Sequence, residues 1–174
     1  MKEMVRYGLT LALICVAASA SLAGMNSLTK PKIIAQAQAE EMAALKEVLP
    51  QAEEFEPVKS GQETAYYKAF GRQKEFIGVV FKASGKGYSS TIDTVVGMLK
   101  DGTINAIKVL SQNETPGLGA NVAEPGFTGR FSNQNLSGIN GIQAITGATI
   151  SSKAVINSVK SRAEEIQGLI KDGR

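Results

Sequence analysis

The stretch STIDTVVGMLKDGTINAIKVL, residues 90–110, decides the fold. Ser90–Met98 and Thr103–Leu110 are rich in β-branched residues and are separated by Lys100-Asp101-Gly102. Asp-Gly between two such runs is a hairpin signal, because glycine supplies the positive φ of a tight turn. Upstream, Thr64–Phe70 and Phe76–Ala83 form a second pair around the polar turn Arg72–Glu75. The centre of the chain is therefore expected to be an antiparallel sheet. Gly85-Lys86-Gly87-Tyr88 interrupts the two pairs and reads as a connection with an aromatic anchor.

Beyond the hairpin, Asn113 to Leu136 holds Pro116, Gly117, Gly119, Pro125, Gly126 and Gly129 without periodicity. Irregular stretches of that length inside a compact domain are commonly functional. Ile142-Gln143-Ala144-Ile145 reads as a short strand, followed by Thr146-Gly147-Ala148-Thr149. A helix is then expected from about Ser151, with Val155, Ile156, Val159, Ala163, Ile166 and Ile170 on one apolar stripe. Toward the N-terminus, Gln51–Glu63 reads as a charged linker. Before it, Pro31–Leu49 reads as a helix opened by Pro31 and closed by Pro50, with Ile34, Ala37, Leu45 and Val48 at helical spacing.

Tyr7 to Thr29 carries no charge, and at ~1.5 Å per residue its 23 residues reach ~34 Å, enough to cross a hydrocarbon core of ~30 Å. Lys2 and Arg6 precede it, Lys30 and Lys32 follow it, and a short basic tail of this kind usually stays in the cytoplasm, which sends the remainder outside. A cleaved signal peptide is the rival reading, since Ala18-Ser19-Ala20 and Ser21-Leu22-Ala23 both satisfy the small-residue cleavage rule. Both readings put the domain beyond the membrane. Ile14 stands where a lipidated cysteine needs a small residue, so Cys15 reads as a buried apolar thiol.

Composition narrows the chemistry. The 174 residues contain one Cys and no His or Trp, which excludes a disulfide framework, a Cys/His zinc cluster, a cysteine-ligated iron–sulfur site and a histidine-dependent nucleophile. A formal net charge of +3, from 19 basic and 16 acidic residues, makes no stripe for nucleic acid. Redox or transfer chemistry must then use a bound organic cofactor, a carboxylate or a hydroxyl. The expected class is α+β: an antiparallel sheet with flanking helices, preceded by one N-terminal transmembrane helix. The expected division is 1–29 tail and anchor, 30–63 helical stalk and linker, and 64–174 domain.

Three segments are candidate sites. Thr146-Gly147-Ala148-Thr149-Ile150-Ser151 places hydroxyls where a strand hands over to a helix, and the unpaired N–H groups of a first helical turn attract phosphate. The bland alternative is an N-cap with a relaxed turn. In Glu114-Thr115-Pro116-Gly117-Leu118-Gly119 the glycines allow close backbone approach to a flat ligand and Leu118 offers an apolar contact; the alternative is a surface turn. The third is Gly85-Lys86-Gly87-Tyr88, a weak glycine-loop signal by itself.

In this order the segments GKGY, ETPGLG and AITGATISS resemble the FMN-binding domain family over roughly Thr64 to Val159, in the branch that holds the G subunit of Rnf electron transport complexes and its relative, the C subunit of the sodium-translocating NADH:quinone reductase. The resemblance implies a retained membrane anchor and FMN held by a phosphoester on the second threonine of the S/T-G-A-T string, which is Thr149 here. Thr146, Gly147, Ala148, Ile150 and Ser151 would surround it, with Glu114, Thr115, Gly117, Leu118 and Gly119 on the facing loop. It also implies a flavin transferase that uses FAD and magnesium, and other membrane subunits of an Rnf-type complex as partners. The function implied is that of an electron carrier between ferredoxin and NAD, coupled to ion translocation, rather than a catalyst by itself. A free-standing extracellular flavin reductase, a component of a sodium-translocating NADH:quinone reductase and a non-redox binding module are the alternatives. Two positions depart from the family pattern: Gln143 replaces an acidic residue, and Ser111-Gln112-Asn113 stands where many members carry His.

Overall fold

The computed structural model describes residues 2–60 and 63–171, so Gly61 and Gln62 of the expected linker and the last three residues of the expected domain lie outside the described residues. The chain divides into two compact units at Glu40/Glu41. A helix, α1, runs over Lys2–Val48. In the first unit its apolar residues, Leu9, Leu11, Leu13, Ile14, Val16 and Leu22 among them, are all exposed, and the helix is long and apolar enough to cross a membrane. Cys15 is exposed as well, not buried as its apolar setting suggested. Pro31 lies inside α1 instead of opening a separate helix. It removes one backbone hydrogen bond, but the surrounding Ala, Gln, Glu, Lys and Leu residues are good helix formers and no glycine stands nearby to end the helix.

The second unit begins with the last turns of α1, which end at Val48 just before Pro50. Asn105 caps this end, its Nδ2 donating to the Val48 carbonyl at 2.7 Å. Five strands follow: β1 (Glu54–Ser60), β2 (Glu63–Phe70), β3 (Phe76–Lys86), β4 (Thr91–Leu99) and β5 (Ile104–Ser111). They pair antiparallel in sequence order, and the central register aligns Val80 with Gly97 and Val96 with Ile107. Most of β4 is buried because both faces of the sheet are covered. On one face Val79, Phe81, Ile92, Val96 and Met98 pack with Val155, Val159, Ala163 and Ile166 of the C-terminal helix. On the other, Ala69, Val80 and Val95 pack with Ala44, Leu45, Val48 and Leu49. A side chain at Gly97 would run into the Val48 carbonyl, so α1 approaches the sheet as closely as it does only because that strand position has no Cβ.

Further expectations are corrected. Glu54–Ser60, read as linker, is the edge strand β1; Pro57 and its charges make it a protected edge. Gly85 and Lys86 continue β3 instead of interrupting it. Ile142–Ile145 forms no strand, because its polar groups are satisfied elsewhere: Arg130 Nη1 donates to the Gln143 carbonyl at 2.7 Å, and the Ile145 amide donates to Ser152 Oγ at 3.0 Å. The C-terminal helix begins at Thr149, two residues earlier than expected. Between β5 and that helix lie two short α-helices, α2 (Pro125–Thr128) and α3 (Leu136–Ile139), and two 3-10 turns, Gly119–Ala123 and Gly129–Phe131; α4 is Thr149–Lys171. The intervening segment, irregular in sequence, contributes Val122, Phe127, Phe131 and Ile139 to the core on the α4 side.

Candidate functional site

The three candidate segments meet at one buried carboxylate. Glu114 is 6% exposed. Its Oε1 accepts from the amides of Ser89 and Ser90, each at 2.9 Å, and from Ser90 Oγ at 3.3 Å. Its Oε2 accepts from the Tyr88 amide at 3.1 Å and from Ser151 Oγ at 2.6 Å. Ser90 Oγ in turn accepts from the Asn113 amide at 2.8 Å, so the turn after β3 and the start of the ETPGLG loop are tied twice. Burial works against ionisation of Glu114, yet the Ser151 hydroxyl and the amides of Ser90, Ser89 and Tyr88 outweigh it and lower the carboxyl from its ordinary 4.5 to about 2. It is ionised at neutral pH.

Two glycines make room for this carboxylate. A Cβ on Gly87 would lie 2.6 Å from Glu114 Oε1, and one on Gly119 would lie 2.8 Å from Oε2 and 2.6 Å from Ser151 Oγ. Gly117 and Gly147 have φ values of +75° and +80°, left-handed conformations that glycine adopts freely. The turn at Gly147 delivers the chain into α4, where Ala148 accepts the first helical bond from the Ser152 amide at 2.9 Å. The amides of Thr149, Ile150 and Ser151 form the first turn, whose N–H groups have no acceptor within a helix.

Above the carboxylate opens a cleft of about 420 Å³ lined by Tyr88, Glu114, Thr115, Leu118, Gly119 and the run Gly147–Ser151. That volume falls in the range of small-molecule sites. Nine of the sequence-predicted residues therefore line one cavity: Glu114, Thr115, Leu118, Gly119, Gly147, Ala148, Thr149, Ile150 and Ser151. Thr146 and Gly117 are exposed and do not line it. Thr149 is exposed, whereas Ser151 is 2% exposed and committed to Glu114, so the two hydroxyls of the helix start have different settings. Tyr88, at 73% exposed, stands at the cleft with the half-exposed Leu118 and Ile150. Tyr88 belongs to the weakest of the three candidate segments, where the sequence suggests mainly an aromatic anchor, and Ser89 and Ser90 lie outside all three. The signal available was the neighbouring Gly87, whose missing side chain makes space for a group arriving from elsewhere.

A cleft with an apolar rim, a polar floor and the open end of a 23-residue helix defines a domain suited to a planar ligand with an anionic tail. Residues 87–164 match the FMN-binding domain family, and residues 1–48 match the RnfG N-terminal region. The chain is 32% identical to the G subunit of an ion-translocating oxidoreductase complex of Methanosarcina acetivorans, over 95% of each chain. It is also 32% identical to the G subunit of a Na(+)-translocating ferredoxin:NAD(+) oxidoreductase complex of Acetobacterium woodii, covering 98% of this chain and 95% of that one. It belongs to the RnfG family. Among solved structures, the C subunit of the Na(+)-translocating NADH-quinone reductase from Parabacteroides distasonis shares the fold, with a TM-score of 0.52 at 19% identity over 67% of this chain and 77% of that one.

Proposed function

We propose that this chain is a membrane-anchored electron-carrier subunit of an ion-translocating ferredoxin:NAD oxidoreductase complex, with FMN attached to Thr149 through a phosphoester. The observation that carries the proposal is the setting of Thr149, an exposed hydroxyl-bearing residue at the open end of α4 that lines the cleft shared by the three motifs. The residues present fit FMN. Tyr88, Leu118 and Ile150 offer apolar surface for a flat ring, and the first-turn amides and helix dipole suit a phosphate diester. When bound, FMN supplies one- and two-electron transfer.

The protein's own part is attachment, position and shielding. Attachment requires the Thr149 oxygen to form a bond to the FMN phosphorus of FAD while the bond to AMP breaks, with the hydroxyl proton leaving to a base; a flavin transferase with magnesium would provide that chemistry. Gly147 and Ala148 present little side-chain bulk beside the hydroxyl. The ETPGLG loop forms the opposite wall. We further propose that the segment before Tyr7 is cytoplasmic, that the domain from about residue 64 lies on the other side of the membrane, and that other membrane subunits of the complex are the electron partners.

The test is flavin fluorescence of the membrane-extracted chain on a denaturing gel. Wild type should fluoresce and Thr149→Ala should not, because Ser151 is buried in its bond to Glu114 and cannot substitute. An undiminished flavin band in Thr149→Ala would refute the assignment.

A further inference from the structure

We propose that Glu114 is a positioning residue, a single carboxylate that locks the Tyr88–Ser90 turn, the ETPGLG loop and the first turn of α4 into one frame and thereby sets the surroundings of a flavin attached beside it. The inference rests on the function proposed above and assigns to Glu114 a role other than direct flavin contact.

The geometry carries it in three steps. First, the carboxylate accepts five hydrogen bonds from two segments distant in sequence, residues 88–90 and Ser151, and itself belongs to a third. Second, the three large, exposed apolar residues at the cleft are distributed one to each segment: Tyr88 on the turn, Leu118 on the loop and Ile150 on α4. Their mutual placement therefore depends on the group that joins those segments. Third, no other side chain can replace it. A glutamine would point an amide NH₂ at N–H donors, and an aspartate is one methylene short. Gly87 and Gly119 flank the carboxyl so closely that a Cβ on either would fall within 2.6 Å of its oxygens or of Ser151 Oγ. The acceptor is buried, ionised and saturated with donors, which makes it a rigid joint and leaves it little capacity to bind a ligand directly.

The experiment uses the full chain in detergent, as Glu114→Gln, Ser151→Ala and wild type. In flavin-free protein, amide hydrogen exchange at residues 88–90 should quicken by about tenfold or more in Glu114→Gln and by less in Ser151→Ala, which removes one donor and keeps the charge. In flavin-bearing protein the visible flavin spectrum and midpoint potential should shift in the same order, Glu114→Gln more than Ser151→Ala. Fast exchange with an unchanged spectrum and potential in both variants would overturn the proposal, leaving Glu114 a purely structural residue. Unchanged exchange in both would overturn it too, by showing that the joint is not made. If Glu114→Gln does not fold, Ser151→Ala decides on the same two readouts. A wild-type chain without flavin would sink the proposed function and this inference's cofactor claim together. The exchange arm, read on flavin-free protein, would still report separately whether the joint exists.

Discussion

Adding one methyl group at residue 119 tests how tightly the joint is built. In Gly119→Ala the new Cβ would stand 2.6 Å from Ser151 Oγ, 2.8 Å from Glu114 Oε2 and 2.9 Å from Glu114 Cβ. Ordinary carbon contacts are about 3.5–4.0 Å, so something must move by close to an ångström. Neither neighbour can swing into solvent, because Glu114 is 6% and Ser151 2% exposed. Over-packing of a dense site costs about 1–3 kcal/mol, and loss of a hydrogen bond to a charged group about 1.5–3. The two overlap because relieving the clash is what breaks the bond, so the expected loss is about 3 kcal/mol. For a unit of this size that is roughly a 10 °C fall in Tm. Gly117→Ala is the control: a Cβ there meets nothing within 4 Å, and only its φ of +75° penalises a side chain, at about 1–2 kcal/mol. Thermal unfolding of the flavin-free full chain reads both. Equal Tm values for wild type and Gly119→Ala would refute the packing argument.

Acid should loosen the same joint. Glu114 binds its proton less readily when folded than when unfolded, so its stabilising contribution is complete above about 4.5 and is lost as the pH falls toward about 2. Unfolding measured across that window should show the difference between wild type and Glu114→Gln shrinking with acidity, and a constant difference would contradict it. Gly117→Val should disturb flavin binding or potential more than Gly129→Val, since only the first forces a β-branched residue into a left-handed conformation; equal redox titrations would count against this. The intact mass of the native chain should include the apolar span, whereas an N-terminus near Ser21 or Gly24 would reveal cleavage and remove the anchor.

Where local chemistry decided structure, the sequence was readable. The Asp101-Gly102 hairpin, the apolar stripe of α4 and the uncharged run in α1 each depend on neighbours within a few residues. The misreadings occurred where distant partners decide. Pro57 and the glutamates of β1 look like linker chemistry because an edge strand needs only one partner, and Phe70 and Tyr67 of β2 supply it. Ile142–Ile145 has strand composition, but among the described residues no strand pairs with it; Arg130 and Ser152 take its polar groups instead. Pro31 ends a helix in principle, yet a single lost bond does not outweigh the helix formers on either side.

The candidate site divides along the same line. ETPGLG and TGATIS announce themselves through glycine and hydroxyl content, and nine of their residues do line one cleft. The role of Glu114 was not legible, because a glutamate in a polar loop is ordinarily a solvated charge. What makes it otherwise is a set of donors 24 to 37 residues away in sequence. Gly87 and Gly119 are the sequence traces of that arrangement: each lacks the one atom that would collide with the carboxylate or its serine partner. Two glycines from separate loops that are required by the same side chain form a physical link between motifs. It explains why GKGY belongs to the site, although Gly87 and Tyr88 gave no strong signal as a loop by themselves. The contrast between the exposed Thr149 and the buried Ser151 at the same helix start then has one visible cause, the Glu114 carboxylate beneath the first turn of α4, which takes the Ser151 hydroxyl and leaves Thr149 facing the cleft.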